Sequence, residues 1–522
     1  MRNLIVCCDG TWNTADQRHD GVPVPTNVVR LFNALADTNP SGTQQLKYYH
    51  PGVGTEPGWW ERALGGATGA GLDRNIMSAY HWLCRNYVAN DRIFMFGFSR
   101  GAYTVRSLGG FIVACGLLAL DGIPPEIAWA RIEHVFRHGY RDRRETIEDW
   151  KRRKEKPAWR FHEVDGKELI PIHMIGVWDT VGALGIPDDL ALLNLLDASD
   201  EHAFHDTALS DQVLHARHAV ALDEIRASFQ PTLWTGHHPD LKQVWFPGVH
   251  CDVGGGYRET GLSDGALRWM IEEATAQGLG FRDDMLEQIQ PDPRGVLHDS
   301  YTDVFRLLPN KPRSVPRLDA PNGETPPYLH SSVIERRKCP PISDAPYRPT
   351  VPSLGVNESH EFTVHAINPW NETGLYLEPG ATYRFEAEGQ WMDRNIACGP
   401  DGTNDGDFQP AEIGHLLATA LGEIETRFKK ITGNDQANFR FTKRHDRIDG
   451  ERVPWFCLIG AIANAGGVDD KGKPGEHETF KIGSGCEHTV RQEGYFYAYA
   501  NDAWNFYENN RGSVKLKVTR LS

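Results

Sequence analysis

A serine in a glycine-flanked turn is the first place in this sequence where chemistry is expected. Residues 93–102 read Ile-Phe-Met-Phe-Gly-Phe-Ser-Arg-Gly-Ala, an apolar run that turns through Gly-x-Ser-x-Gly into a stretch with helical spacing. A sharp strand-to-helix turn exposes the serine hydroxyl, and it requires glycines because a Cβ there would collide with neighbouring elements. The pattern predicts Ser99 as a nucleophile; the alternative is a purely structural turn.

A histidine and a carboxylate must accompany such a serine, because the hydroxyl attacks only after an oriented imidazole takes its proton. Two later apolar runs end at Asp179 and at His250. The order Ser, acid, His along the chain is that of α/β-hydrolases. We therefore predict a triad of Ser99, Asp179 and His250, with Asp252 as the second choice for the acid. A turn carboxylate and a core histidine are the plainer alternatives.

Two backbone N–H groups are candidates for stabilising the oxyanion of an ester reaction. Arg100 begins the predicted helix, so its N–H faces any oxyanion formed at the turn. The second donor is expected from the loop after the first strand, where Thr11 follows a glycine. With these groups, His250 would deprotonate the serine, and a water activated by His250 would release the acyl-enzyme. The residues alone support esterase chemistry without a cofactor.

The elements that must position these residues alternate from residue 4 to about residue 350, which predicts an α/β fold. Strands are expected at residues 4–8, 45–49, 93–96, 169–177 and 243–249, and helices at residues 28–36 and 76–87. Residues 125–165, rich in Arg, Lys and Glu, are expected to form a solvated helical excursion. Residues 188–235 are expected to be a second insertion.

A leucine-rich segment directly follows the expected acid loop. It contains Leu190, Leu192, Leu193, Leu195 and Leu196. This segment is too apolar all round for one exposed helix face. We expect it to border the active site as a lid or a wall for an acyl chain, and the alternative is ordinary core packing.

A cluster of prolines between residues 310 and 357 marks the predicted domain boundary. Residues 1–352 are predicted to form an α/β-hydrolase catalytic domain, and residues 353–522 a β-sandwich. Apolar runs separated by Gly, Asn and Asp turns are expected to be its strands, at residues 362–366, 383–387, 455–463, 479–482, 494–500 and 513–518. Residues 411–429 form a helix-like insertion in this pattern.

Composition limits the classes of partner and compartment. The net charge of −15, from 55 basic and 70 acidic residues, argues against nucleic acid, which selects for basic faces, and a bare anionic membrane is also unfavourable. Nine cysteines without regular spacing favour buried thiols over a disulfide framework. The first residues lead into an apolar run without a signal-peptide pattern. We expect a protein that is cytoplasmic when synthesised, and export without a cleaved signal stays open.

Seven motifs in the N-terminal part form a recognisable set. They are residues 8–13 (Cys-Asp-Gly-Thr-Trp-Asn), 26–28, 51–55, 71–76, 97–102, 177–182 and 246–257. Together they resemble the α/β-hydrolase family that contains the first class of type VI secretion lipase effectors. The resemblance places Ser99, Asp179 and His250 at the matching catalytic positions. It implies phospholipase A activity on a lipid substrate and a secretion-system partner.

The C-terminal part carries a second set of motifs. They are residues 389–391 (Gly-Gln-Trp), 399–402 (Gly-Pro-Asp-Gly), 501–502 (Asn-Asp) and 507–513 (Tyr-Glu-Asn-Asn-Arg-Gly-Ser). This part is similar to the PA-I type galactophilic lectins, β-sandwiches with one bound calcium. The resemblance implies calcium at Asp502, Asn509 and Asn510, whose hard oxygen atoms suit that ion. The segment near Asp393 is shorter than in those lectins, and the alternative is an Asx-rich turn without a metal.

Three functions are compatible with these observations. The first is a serine esterase or lipase that acts on a lipid, with a β-sandwich that docks on a membrane surface or glycan, or braces the enzyme. The second is a glycan- or partner-binding protein whose hydrolase domain is a non-catalytic scaffold. Three triad candidates in a workable order speak against that scaffold. The third is an acyltransferase, which uses the same triad and passes the acyl group to an alcohol.

Overall fold

A computed structural model provides the structure of the protein. It describes the chain except for residues 11–17, 20, 53–67, 183–207, 303–304, 307–308, 320–325, 394, 404–442, 465–467, 470–471 and 505. Three features discussed above lie outside the described residues: Thr11, the leucine-rich segment 190–196 and the insertion 411–429.

A six-stranded parallel sheet organises the N-terminal part. Its strands are β1 (Asn3–Cys8), β2 (Gln45–His50), β3 (Arg92–Phe98), β4 (Ile172–Trp178), β5 (Val213–Ala221) and β6 (Leu241–Phe246). Their order across the sheet is β2-β1-β3-β4-β5-β6. Helices cover both faces of the sheet, so its central strands read as continuous apolar runs rather than as alternating patterns.

Nine α-helices are present in the described part of the chain. They are α1 (Asn27–Ala34), α2 (Thr68–Asn86), α3 (Arg100–Cys115), α4 (Pro125–Val135), α5 (Ile147–Lys151), α6 (His250–Gly254), α7 (Gly261–Ala276), α8 (Asp283–Leu286) and α9 (Ser331–Lys338). Short helices of other types span Phe136–Arg141, Ala227–Phe229, Ile342–Asp344 and Tyr507–Asn509. One core lies between the sheet and α2, α3 and α4, and another lies between the sheet and α1 and α7.

The strand register brings the ends of β3 and β4 to one edge of the sheet. Phe98 of β3 pairs with Trp178 of β4, and Trp178 pairs with Ala219 of β5. Between β5 and β6, Ala221 pairs with Phe246. Because parallel strands present their carboxyl ends at the same edge, the residues that follow them meet there.

The expectation of an insertion over residues 188–235 is wrong for its second half, which contains β5. This strand carries polar residues that hide it in the sequence. Arg217 is 2% exposed and forms ion pairs with Asp240 and Glu273. A buried guanidinium is tolerated because both carboxylates compensate its charge.

The expectation of a solvated helical excursion over residues 125–165 is confirmed for the helices and wrong for their exposure. The segment forms α4, a π-helix and α5, and it packs against the sheet-side core through apolar residues. Trp150 and Trp159 are buried in that core. The Arg131 guanidinium lies 4.6 Å from the centroid of the Trp159 ring. The charged residues of this segment therefore cover aromatic side chains rather than a free helix face.

Two antiparallel sheets, here called the C-terminal sheets, form the last part of the chain. The strands are β7 (Ser359–His365), β8 (Asn371–Leu377), β9 (Thr382–Asp393), β10 (Ile396–Cys398), β11 (Leu458–Asn464), β12 (Glu478–Lys481), β13 (Gly485–Thr489), β14 (Gly494–Ala500) and β15 (Asn510–Arg520). One sheet has the order β8-β14-β11-β12, and the other has the order β10-β9-β15-β7 with β13 beside β9. Two-residue strands pair Arg18–His19 with Val22–Pro23 and Arg447–Ile448 with Glu451–Arg452.

The C-terminal sheets share one core with each other and a second core with the parallel sheet. Phe385 and Trp391 of β9 pack with Leu458 of β11 in the first. In the second, Val220 of β5 and Trp245 of β6 belong to the same buried cluster as three tyrosines of β14, Tyr495, Tyr497 and Tyr499. The proline-rich segment contributes Val315 and Leu318 to this cluster. The domain boundary at residue 352 stays a prediction.

The described helices include none with both the length and the apolar character needed to cross a membrane. All nine cysteines are free thiols, and most of them are buried.

Candidate active site

The turn between β3 and α3 holds Ser99 in a strained conformation. Its φ of 58° and ψ of −122° lie in a region that residues with a Cβ rarely adopt. Glycines make the turn possible, because a Cβ on Gly97 would lie 2.4 Å from the carbonyl oxygen of Gly101. A Cβ on Gly101 would lie 2.1 Å from the carbonyl oxygen of Cys8. The end of β1 is therefore packed directly against the serine turn.

Asp179 and His250 meet at the edge of the sheet beside this turn. Asp179 follows β4, and its N–H donates to the carbonyl of Ala219 at 2.7 Å. His250 begins α6 after β6, and its Nδ1 lies 2.6 Å from Oδ2 of Asp179. Both residues are buried, at 0% and 3% exposure for Asp179 and His250. Asp179 holds the imidazole in one orientation, as the acid of a triad does.

Aromatic rings fix the position of the His250 imidazole. The ring centroid of Phe98 lies 4.6 Å from that of His250, and the ring of Phe229 meets it edge-on at 5.0 Å. Because Phe98 directly precedes Ser99, the imidazole lies next to the serine turn. Among the described residues, no hydrogen bond joins Oγ of Ser99 to His250; such bonds are often long in enzymes without substrate.

Asp179 has a second partner, Arg313, which sequence reasoning missed. Nη1 of Arg313 donates to Oδ1 of Asp179 at 2.7 Å, and Nη2 donates to Oδ2 at 2.8 Å. The same guanidinium donates to the carbonyls of Ala221 and Phe229. Both Arg313 and Asp179 have fully buried side chains. Burial raises the pKa of Asp179, but the charge and hydrogen bonds of Arg313 outweigh it and hold the pKa well below its ordinary value.

The electrostatics keep the His250 imidazole neutral. Burial lowers its pKa, and the charge of Arg226 lowers it further; the bond and charge of Asp179 act in the opposite direction without reversing the shift. A neutral imidazole with Nδ1–H bonded to Asp179 leaves Nε2 as an acceptor. This is the form that a general base requires.

A buried Glu224–Arg226 pair supports the backbone at His250. Two hydrogen bonds of 2.9 and 2.8 Å join the two side chains, and the N–H of His250 donates to Oε2 of Glu224 at 3.2 Å. Burial raises the pKa of Glu224, but the bonds and charge of Arg226 lower it to about 2. Glu224 is therefore ionised when it binds the first N–H of α6.

Asp252 faces away from His250. Its Oδ1 lies 2.6 Å from Nδ1 of His298, and its Oδ2 accepts from the N–H groups of Val249 and His298. The structure thus brings Asp179, rather than Asp252, to the imidazole. Asp252 instead fastens the start of α6 to the chain near residue 298.

Of the two predicted oxyanion donors, Arg100 is described and Thr11 is not. Arg100 is the first residue of α3, so its N–H lies in the first turn of that helix. The residues before Thr11 are held in place by Asp9, which accepts hydrogen bonds from Gly10 N–H, Thr26 Oγ1 and Tyr49 Oη at 2.7 to 2.9 Å. Burial raises the pKa of Asp9 to about 6.

The predicted calcium ligands lie together between β14 and β15. Asp502 is buried, and its carboxylate accepts from the N–H of Ala503 at 2.7 Å and from Nδ2 of Asn510 at 2.9 Å. The Oδ1 atoms of Asn509 and Asn510 are buried without a hydrogen-bond partner. Burial raises the pKa of Asp502 to about 7, and the charge of Asp393 contributes.

Unpaired amide oxygens beside a buried carboxylate fit a hard cation. The nearby Asp393 is a further acidic residue at this place that the sequence pattern does not predict as a calcium ligand. No group of three or more His, Cys, Asp or Glu residues with metal-site geometry occurs in the described ranges. Calcium at this place would therefore depend on amide oxygens for much of its coordination.

Solved structures provide distant likenesses. The chain is similar to an uncharacterized protein from Pseudomonas aeruginosa, with 18% identity, a TM-score of 0.30, and coverage of 56% of this chain and 49% of that one. It is similar to the Tle1 effector bound to the VgrG spike from the type VI secretion system, with 19% identity, a TM-score of 0.29, and coverage of 50% and 51%. It is also similar to the EclA N-terminal domain, a PllA-like lectin, with 14% identity, a TM-score of 0.18, and coverage of 31% and 94%.

Sequence comparisons identify the N-terminal part. An uncharacterized protein of Saccharomyces cerevisiae is 31% identical over 250 residues, which cover 45% of this chain and 33% of that protein, so this chain spans about a third of that relative. The family model for the catalytic domain of the Tle1-like phospholipase effector of the type VI secretion system matches residues 2–273. That match covers more than half of the 522 residues and confirms the first resemblance. The chain belongs to the Tle1-like family of type VI secretion phospholipase effectors.

Proposed function

We propose that this chain is a serine carboxylester hydrolase of the phospholipase A type. The observation that carries the proposal is the 2.6 Å contact between His250 and Asp179 beside the strained turn of Ser99. Strain at a buried serine, with an oriented neutral imidazole next to it, is the arrangement that nucleophilic catalysis needs. Membership in a phospholipase effector family supports a lipid ester as the substrate.

In the proposed reaction His250 accepts a proton and passes it on once in each of two half-reactions. Nε2 accepts the proton of Ser99 Oγ while the serine oxygen attacks the ester carbonyl, and the π electrons of that carbonyl move onto its oxygen. The imidazolium, stabilised by Asp179, then gives the proton to the departing alcohol as the tetrahedral intermediate collapses to the acyl-enzyme. A water then attacks the acyl-enzyme while it loses a proton to His250, and His250 gives that proton to Ser99 Oγ as the fatty acid departs.

We propose the N–H groups of Arg100 and Thr11 as the oxyanion donors. Both would donate to the carbonyl oxygen only as it gains charge, which stabilises the transition state more than the substrate. The hydrogen bonds of Asp9 support this proposal, because they hold the backbone just before Thr11. Losing one such donor typically lowers kcat by about 100- to 1000-fold.

Apolar side chains packed next to the imidazole support an acyl chain as part of the substrate. Val181 and Phe229 are buried together there, and the ring of Phe305 packs against Phe229 at 5.7 Å. Chain burial against such rings is favourable because it removes apolar area from water. The leucine-rich segment 190–196, which begins soon after Val181, is proposed to complete this surface as a lid.

The C-terminal sheets are proposed to form a lectin-like β-sandwich domain, residues 353–522, after an α/β-hydrolase domain, residues 1–352. Asp502, Asn509 and Asn510 would hold calcium, which would neutralise the buried carboxylate and fix the loop; the hydrolysis itself needs no cofactor. The sandwich would dock on a membrane surface or glycan or brace the enzyme. We further propose cytoplasmic synthesis and export without a cleaved signal, through a secretion-system partner.

Labelling with a fluorophosphonate probe tests the nucleophile. Wild type is expected to label covalently and Ser99→Ala is not. The matched control is Ser107→Ala, two turns further along α3, which should label like wild type. Equal labelling of Ser99→Ala would contradict the proposal.

Substrate profiling separates the proposed function from its alternatives. Purified protein is expected to release fatty acid from phospholipid vesicles faster than acid from short soluble esters. Turnover of soluble esters alone would remove the lipid assignment. Binding to vesicles or glycans without turnover would favour the scaffold function, and acyl transfer to an added alcohol in preference to water would favour the acyltransferase.

A further inference from the structure

Arg313 links the catalytic acid to a segment that is otherwise outside the site. Its guanidinium makes four hydrogen bonds, two to Asp179 and one each to the carbonyls of Ala221 and Phe229. The partners lie 84 to 134 residues away in the sequence. These bonds reach Asp179 and backbone carbonyls rather than Ser99, so Arg313 would act on the hydrolytic steps through Asp179.

The segment that carries Arg313 is held by the C-terminal sheets from both sides. Before Arg313, Nε1 of Trp370 donates to Oδ1 of Asn310 at 2.9 Å. After Arg313, the N–H of Leu318 donates to Oη of Tyr495 at 2.9 Å. These bonds fix residues 310–318 against β8 and β14 on either side of the arginine.

Apolar packing reinforces these bonds. Val315 and Leu318 are 1% and 2% exposed, in one cluster with Tyr376 of β8 and with Tyr495 and Tyr497 of β14. Burying two aliphatic side chains against three tyrosines stabilises the same path of the chain that the flanking hydrogen bonds hold. The path of residues 310–318 thus depends on the C-terminal sheets, whereas Arg313 projects from it toward the parallel sheet.

We propose that the C-terminal sheets position Arg313, and through it Asp179 and His250, so that the C-terminal part is a component of the active site's support. Arg313 is a positioning residue in this arrangement. The proposal rests on the proposed serine hydrolase function for the meaning of the triad, but its structural part is measurable without turnover.

The charge of Arg313 gives the proposal a signature that packing alone lacks. A guanidinium next to the Asp179–His250 pair disfavours any added proton on that pair. Removing it is expected to raise the pH at which His250 takes a proton. The other titratable or charged groups around the pair are His218 on β5, Glu224 and Arg226 after β5, and Cys251 and Tyr257 at and after α6.

The first experiment compares Arg313→Met and Arg313→Lys in the full chain, with kcat/KM measured against pH on a soluble ester. Arg313→Met is expected to lower kcat about 10- to 100-fold, the usual effect of losing the outer partner of a histidine–carboxylate pair at metal sites. The acid limb of its pH profile, where kcat/KM falls as the pH is lowered, should move up by about one pH unit. Arg313→Lys keeps the charge and should restore the wild-type limb. Equal acid limbs in all three proteins would overturn the role of Arg313.

The second experiment leaves the triad and Arg313 intact. Trp370→Phe combined with Tyr495→Phe removes the flanking hydrogen bonds and keeps an aromatic ring at each position. It is expected to lower kcat about three- to tenfold at unchanged KM. The control is Arg384→Gln, which should behave as wild type. It removes an exposed ion pair between Arg384 of β9 and Glu487 of β13, in the C-terminal sheet that does not contain β8 and β14. Wild-type kcat in the double variant would overturn the positioning by the C-terminal sheets.

Proton NMR makes the test independent of turnover. In Ser99→Ala protein, the far-downfield signal of the His250–Asp179 hydrogen bond is assigned by its loss in His250→Gln. This signal is titrated with and without Arg313→Met, with Arg313→Lys as the charge-keeping control, and with and without the Trp370–Tyr495 double change. The double change is expected to broaden or shift that signal, and an unchanged signal contradicts the proposal. If wild type lacks esterase activity but the signal responds, the proposed function fails and the positioning inference stands.

Discussion

Replacing Ser99 with glycine is expected to abolish hydrolysis and at the same time stabilise the fold. The hydroxyl is the proposed nucleophile, so activity is lost with it. The backbone at this position, however, has φ 58° and ψ −122°, a conformation that glycine adopts readily and serine does not. The two effects have opposite signs and the same structural origin, because the turn that presents the hydroxyl is the turn that strains the residue.

The magnitude follows from two terms. A non-glycine residue held in such a region costs about 1–3 kcal/mol. Glycine loses more backbone freedom on folding, which costs about 0.5–1 kcal/mol. The free energy of unfolding of Ser99→Gly should therefore exceed that of wild type by about 1 kcal/mol.

Urea unfolding followed by tryptophan fluorescence measures this difference. Ser99→Ala is the matched variant, because it also loses the hydroxyl but keeps a Cβ and hence the strain. We expect Ser99→Gly to unfold at higher urea concentration than Ser99→Ala, with the same dependence on urea. If the two variants unfold together, no strain is stored at this turn and the reasoning is refuted.

Three further outcomes are expected. Asp179→Asn should lower kcat about 10⁴-fold, because an amide favours the wrong tautomer of His250. It should also destabilise the fold by about 3–5 kcal/mol, because the buried Arg313 loses its counter-charge. Adding Arg313→Met should recover stability in urea unfolding but not activity. Without calcium, the difference in thermal stability between wild type and Asp502→Asn should move against wild type as the pH rises from 3.8 to about 7, since burial keeps on Asp502 a proton that the unfolded chain has lost. Calcium should reverse this trend, and a difference that does not depend on pH in the absence of calcium contradicts the assignment. Leu192→Asp and Leu195→Asp should impair long-chain esters more than short ones, and equal losses would indicate core packing instead.

The parts of the fold that the sequence predicts well are the fully buried strands. β1, β3 and β4 are apolar along most of their length because helices cover both faces, and such runs are visible without structural context. β5 was missed because Arg217 and His218 interrupt its apolar pattern. Both are buried, and the ion pairs that compensate Arg217 come from Asp240 and Glu273, which local patterns do not reveal.

The candidate site likewise combines residues that the neighbouring sequence predicts with residues that only the fold brings together. Ser99 is visible from its neighbours, since Gly97 and Gly101 are needed by the turn itself. Arg313 lies in a proline-rich segment without periodicity, 134 residues from the carboxylate it binds. An arginine in such a segment has many plausible partners, and only the packing of the C-terminal sheets selects one. A buried carboxylate with a single known partner nevertheless predicts a second, cationic partner, because one such partner does not compensate its buried charge.

The hydrogen bonds of Asp179 bear on how fragments of such proteins are chosen and judged. The match to the family ends at residue 273, before Arg313. A fragment cut there contains the whole proposed triad, yet among the described residues its Asp179 carboxylate keeps only the bonds to Ala221 N–H and His250. Trp245 would also lose the tyrosines packed on it. We therefore predict that the matched region alone retains the proposed triad with reduced activity, and that full activity needs the chain through the strands that hold residues 310–318.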